Sequence, residues 1–154
     1  MDFDLLGQLA GSRPDWDFVF VGEPLDDSFS RLQDAKLDNV LFLGPRPYAA
    51  IPSILSAFDA GLIPFRTGPE GAHASPIKMY EYLAAGKPVV ASGVPELAGM
   101  EPDVVLCSSA AEFTAAIEAA LTHSGEEDRA RRRALAAENT LDGRADRLLG
   151  LVAE

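Results

Sequence analysis

Short continuous apolar runs alternate along this chain with apolar residues at helical spacing. The runs Phe18–Val21, Val40–Leu43, Ala60–Ile63, Pro88–Ala91 and Val104–Leu106 are each three or four residues long and rich in Val, Leu, Ile and Phe. That length and composition predict buried strands, and runs that are apolar on both faces suit a parallel sheet covered by helices. Between them, Phe29, Leu32 and Leu37, then Tyr48, Ile51, Leu55 and Phe58, then Phe113, Ile117, Ala120 and Leu121 recur at helical steps and predict crossover helices. A further helix is expected before the first strand, carrying Phe3, Leu6, Leu9 and Ala10 on one stripe with Gly11 after it. The alternation implies one doubly wound α/β domain over residues 1–154, with about five parallel strands and helices on both faces.

The last thirty residues differ in character and predict a helical tail over about 125–154. Its first helix spans the charged Gly125–Arg133 stretch and Ala134–Ala137. A break near Asn139 and Thr140 follows, and Thr140 is placed to cap a second helix with Leu148, Leu149 and Val152. Arg129, Arg131, Arg132 and Arg133 are expected on a solvated face, paired along the helix with Glu126, Glu127 and Asp128.

Charge removes several functions. The chain holds 24 Asp and Glu against 13 Lys and Arg, a formal charge of −11, which opposes general binding to nucleic acid or anionic lipid. One cysteine, Cys107, allows no intrachain disulfide and no thiolate cluster, and two histidines, His73 and His123, make no metal cage by themselves. No apolar run reaches the roughly 20 residues of a membrane span, and Met1–Gly7 is acidic where a signal peptide is basic. The expectation is a cytoplasmic protein without a bound metal or other cofactor.

In open α/β sheets ligands sit beyond the carboxyl ends of the strands. Here the longest segment after a strand is Pro64–Ala74, PFRTGPEGAHA, which runs into Ser75-Pro76, an N-cap followed by proline at the first helical position. Counted from that cap, Lys78 is the third helical residue, where the macrodipole disfavours a cation by about 0.3–1 kcal/mol. Two readings stand: an anion bound at the helix start reverses that cost, or Lys78 pairs with Glu81 one turn on. Cys107, at the end of a strand, reads as a small apolar residue.

The segment SPIKMYEYLAAGKPVVAS, residues 75–92, resembles the signature of the donor-binding half of family 4 retaining glycosyltransferases, which have the GT-B fold. RPDWDFVFVG (13–22), the stretch from NVLFLGPRPY to FDAGLIPFR (39–66) and NTLDGRADRLL (139–149) resemble further pieces of that Rossmann-like domain in the same order. The resemblance implies a nucleoside diphosphate sugar at the carboxyl edge of the sheet. Glu81 matches the glutamate whose carboxylate takes the ribose hydroxyls. Lys78 and the backbone of Ser75 and Ile77 face the diphosphate, and Arg66 reaches the same leaving group or the sugar. Gly44 and Arg46 lie where the family backbone approaches the base, although Gly44-Pro45-Arg46-Pro47 also reads as a rigid turn. Eight residues before Glu81 the family often carries a second glutamate, and this chain has His73. That histidine is a hydrogen-bond donor or proton-transfer group, or a loop residue without a role.

The implied reaction is transfer of a sugar to a hydroxyl acceptor with retention, without a protein nucleophile or a metal, the leaving diphosphate being stabilised by Lys78, Arg66 and helix N–H groups. Asp26-Asp27 reads as a helix start rather than a metal motif. Measured against the resemblance, the chain begins at the first helix, without the central strand and without an acceptor domain. The neighbours of that strand then have open edges, and the expected partners are an acceptor-domain chain or missing N-terminal half, or a second copy paired through an open edge. The isolated chain is expected to lack activity. A non-catalytic nucleotide-sugar module and a nucleotide-sugar epimerase are the alternatives, the latter poorly supplied with acid and base groups.

Overall fold

The computed structural model describes residues 1–23, 28–68 and 77–140. The elements alternate as expected: α1 (Phe3–Ser12), β1 (Phe18–Val21), α2 (Ser28–Asp34), β2 (Val40–Gly44), α3 (Ile51–Ser56), β3 (Gly61–Pro64), α4 (Ile77–Ala84), β4 (Val89–Ser92), β5 (Val104–Leu106), α5 (Ala110–Thr122) and α6 (Glu126–Ala137). All strand pairs are parallel, but the five strands make two sheets, β1-β2 and β3-β4-β5, rather than one. The expected edge between β1 and β3 is therefore a break in the ladder.

Strand β4 shows why both faces are apolar. Val89 and Ala91 enter a core with Met79 and Leu83 of α4, Ile63, Val104 and Ala136 of α6. Val90, on the opposite pleat, joins Leu9 and Ala10 of α1, Phe18 of β1, and Phe113 and Ile117 of α5. Helices thus cover both faces, and α1 packs on α2, α5 and β3, bridging the two sheets.

The direction of α1 fixes the orientation of both sheets. Asp2 caps α1 by accepting the Leu5 N–H at 3.0 Å, and the Asp2 N–H donates to the Pro64 carbonyl at the carboxyl end of β3, at 2.7 Å. At the other end of α1, the buried Asn39 amide donates to the carbonyls of Ala10, Arg13 and Trp16 at 2.9–3.1 Å, while the Phe18 N–H donates to the Asn39 carbonyl. Helix α1 therefore runs antiparallel to β1 and β3 alike, and the carboxyl ends of both sheets lie on its N-terminal side. One side chain thus gathers carbonyls from the end of α1 and from the turn that follows it. Exchanging that donor for an acceptor of the same shape, Asn39→Asp, is expected to cost about 2–3 kcal/mol at neutral pH, measured as a drop in urea midpoint at constant m-value.

Several expectations are corrected. Helix α2 stops at Asp34 because Lys36 takes a left-handed conformation, φ 49°, so Leu37 packs on the core from outside the helix. Tyr48 opens a 3₁₀ turn, Tyr48–Ala50, ahead of α3 and is 78% exposed, so it belongs to no buried stripe; Phe58 falls beyond α3. The arginine cluster is not simply a solvated face. Arg133 pairs with Glu126 and Arg131 with Asp128 as expected, yet Arg132 is 1% exposed and ion-paired to buried Asp103. Asp26, Asp27 and the second tail helix lie outside the described residues. Cys107 is buried, and burial together with the Glu112 charge pushes its thiol up to about 11, consistent with a packing role. No helix among the described residues is long and apolar enough to cross a membrane.

Candidate functional site

The site is built from the segments that leave the carboxyl ends of β2, β3 and β4 and from the first turns of α4. Helix α4 is seated by Met79 and Leu83, one turn apart and buried. Ile77, Lys78 and Glu81 consequently share the opposite face: Ile77 and Lys78 are exposed and Glu81 is half-buried. No ion pair joins Lys78 to Glu81 among the described residues, which leaves the cation and the carboxylate side by side and available.

Two glycines set how close α4 lies to the sheet. The Tyr82 ring rests against Gly61 at the start of β3, where a Cβ would stand 2.3 Å from the ring carbons. Gly86, φ 74°, ends the helix: its N–H bonds the Leu83 carbonyl at 2.8 Å and the Lys87 N–H bonds the Tyr82 carbonyl at 2.9 Å, a Schellman cap that leads directly into β4. Gly86-Lys87-Pro88 thus makes the change from helix to strand.

Arg66 follows β3 by two residues. Its backbone is held by β4, since the Phe65 N–H donates to the Ser92 carbonyl at 3.2 Å and the Ser92 hydroxyl donates to the Phe65 carbonyl at 2.9 Å. Gly93, φ 68°, lies against the same segment, where a Cβ would be 2.6 Å from the carbonyl oxygens of Phe65 and Arg66. The Arg66 guanidinium meets Asp4 of α1 at 3.3 Å, both side chains being more than half exposed. An ion pair so exposed contributes little to stability, and a stronger anion displaces it at small cost. Gly93 and Asp4 were not among the sequence-derived candidates. A glycine directly after a strand, at the same sheet edge as the motif helix, is the signal that marks Gly93; Asp4 has none, because its partner is 62 residues away.

Gly44 ends β2 with φ 68°, and Arg46 beyond it is exposed, with its guanidinium on the Pro45 carbonyl at 3.1 Å. Both stand at the carboxyl edge, on the separate β1-β2 sheet. Of the other candidates, Ser75 and His73 lie outside the described residues. The described structure therefore brings Arg66, Ile77, Lys78 and Glu81 to one sheet edge and places Gly44 and Arg46 at the corresponding edge of the second sheet.

Comparison with known proteins decides the family. Residues 4–123 match the glycosyl transferases group 1 family. The chain belongs to this family of glycosyltransferases. It is also 33% identical, over 134 residues, to TuaH of Bacillus subtilis (strain 168), a glycosyltransferase assigned to teichuronic acid biosynthesis. That match covers 82% of the chain and 33% of the relative, so the chain spans a third of the relative's length. The parallel α/β architecture is that of a Rossmann-like glycosyltransferase domain.

Proposed function

We propose that this glycosyltransferase domain is the donor-binding half of an enzyme that moves a sugar from a nucleoside diphosphate sugar to a hydroxyl acceptor with retention. The observation that carries the reading is the placing of Lys78 and Glu81 together on the outward face of α4, the helix that follows β3 and Arg66 in the chain. A carboxylate accepts both hydroxyl protons of a cis-diol, which suits Glu81 to a ribose. Lys78 one turn earlier, with the Ile77 and Ser75 backbone, takes the diphosphate, and Arg66 exchanges Asp4 for the same group. Gly44 and Arg46 bound the base side, and His73 takes the position facing the donor sugar.

Catalysis then rests on charge. As the bond from the anomeric carbon to the diphosphate breaks, negative charge grows on the leaving oxygen, and Lys78, Arg66 and the first N–H groups of α4 stabilise it. The acceptor hydroxyl attacks on the face the diphosphate leaves, its proton passing to the departing phosphate oxygen, so no protein nucleophile or metal is required. A chain spanning a third of its relative supports the reading that the acceptor is held elsewhere, by another part of the enzyme or a partner chain, and that the isolated chain binds donor without turnover. We place the reaction in the cytoplasm, in keeping with a single buried cysteine.

Calorimetry with UDP, GDP and the free nucleosides tests this. Lys78→Ala is expected to weaken diphosphate binding by about tenfold or more while leaving nucleoside binding unchanged, the loss of one charge-assisted contact of about 1.5–3 kcal/mol. Glu81→Ala is expected to weaken nucleoside and diphosphate alike. Equal affinity of wild type and both variants for every ligand refutes the assignment.

A further inference from the structure

We propose that Asp4 sets the balance between donor and product: by pairing with Arg66 and standing beside the phosphates that Arg66 takes, it weakens a free nucleoside diphosphate more than the sugar-bearing donor. The proposal rests on the reading above, in which Arg66 leaves Asp4 for the diphosphate. The backbones of both partners are pinned. The Asp2 N–H donates to the Pro64 carbonyl at 2.7 Å, two residues before Arg66, and so holds the start of α1 against the end of β3. On the other side, the Phe65 N–H donates to the Ser92 carbonyl and the Ser92 hydroxyl donates to the Phe65 carbonyl. Between these anchors the Arg66 guanidinium donates to the Asp4 carboxylate at 3.3 Å. Among the described residues neither side chain makes another ion pair.

The start of α1 is itself closed to an anion. Free N–H groups at a helix start attract phosphate, but here the Leu5 N–H is taken by the Asp2 carboxylate and the Leu6 N–H by the Asp2 carbonyl at 3.2 Å. Asp4 adds a second carboxylate in the same turn. An anion that reaches Arg66 therefore meets two costs. The first is to break the ion pair, which is small because its side chains are 57% and 63% exposed, and it falls equally on any ligand. The second is repulsion from the released Asp4 carboxylate, which grows with the charge of the ligand. In the donor the terminal phosphate is esterified by the sugar. After transfer it is a monoester, which ionises a second time near about pH 6 and carries roughly one more negative charge at neutral pH. Lys78 and Arg66 attract that extra charge, and Asp4 offsets the attraction, so the product leaves more readily than two cations alone would allow.

Calorimetry of the full chain tests this with UDP and GDP, with their terminal methyl phosphoesters, which have the charge of a donor without a sugar, and with the free nucleosides. At about pH 8, where the terminal phosphate is doubly ionised, Asp4→Asn is expected to tighten the bound diphosphate by about threefold. Its methyl ester should gain less, and nucleoside binding should not change. In an Arg66→Ala background the same substitution should lose most of its effect. Unchanged or weakened diphosphate binding in Asp4→Asn, equal gains for diphosphate and ester, or an undiminished gain without Arg66 each overturns the proposal. Lys78→Ala and Glu81→Ala, measured alongside, separate the two readings. Where they weaken binding as expected, any of those outcomes removes the role of Asp4 alone; where they have no effect, the donor-site reading fails and the proposal with it.

Discussion

Asp103→Ala is expected to destabilise the protein by about 3–5 kcal/mol, the cost of leaving a buried cation without its partner. Arg132 is 1% exposed and spends its N–H groups on Asp103 Oδ1 at 3.1 Å, the Gly86 carbonyl at 3.2 Å and the His123 carbonyl at 2.9 Å. Only the carboxylate neutralises the charge. Arg131 grips the same carboxylate through two bonds of 2.8 Å, but its side chain is 44% exposed and also bonds Asp128. Arg131→Ala should therefore cost far less than Asp103→Ala, because water replaces most of what is lost. Against a typical total of about 5–15 kcal/mol, the first change endangers folding and the second does not. Urea unfolding of the two variants checks the ratio; equal costs would show that α6 is held by its apolar contacts and not by this clamp.

The second large effect is at Gly93. Gly93 and Gly44 share φ 68°, yet a Cβ at Gly44 meets nothing within 4 Å, whereas at Gly93 it meets main-chain oxygens at 2.6 Å. Gly44→Ala should cost about 1–2 kcal/mol, the left-handed strain alone. Gly93→Ala carries that strain plus displacement of the Phe65–Arg66 backbone and should cost about 2 kcal/mol more. Since the two share a backbone angle, the difference between their unfolding free energies isolates the collision. The same variant should weaken UDP binding, because Arg66 moves with its backbone. Full retention of stability in Gly93→Ala would show that the two post-strand segments are not in contact.

The elements legible in the sequence were those whose signal is local. Five apolar runs became five strands, with bounds moved by one residue at β2, β3 and β4, and the Ser75-Pro76 pair announced a helix carrying Lys78 and Glu81, while the face that Met79 and Leu83 bury is shown by the structure alone. What stayed hidden depends on distant partners. Arg132 reads like its neighbours in a charged run until the fold delivers Asp103, 29 residues earlier, beneath it. Asn39 looks like a turn residue, and its role emerges only when the end of α1 is folded back beside it. The division into two sheets is also non-local: each run reports that it is a strand, but not which edge it will occupy. Tyr48 misled because an aromatic at helical spacing was assigned to a stripe, while the proline-flanked turn around it is 3₁₀ and faces solvent.

The shared cover of α1 has a mechanical meaning. Within a sheet, neighbouring strands are joined by directional bonds that resist shear, but the β1-β2 unit and the β3-β4-β5 unit meet through side chains packed beneath one helix and through the Asp2–Pro64 bond. Packing of that kind yields to small sliding motions more readily than a ladder does. Gly44 and Arg46 ride on one unit, Arg66 and α4 on the other, so the spacing between these two groups of residues is a soft coordinate. In the proposed donor site, the width between the two groups is then set by side-chain packing and not by a ladder of backbone bonds.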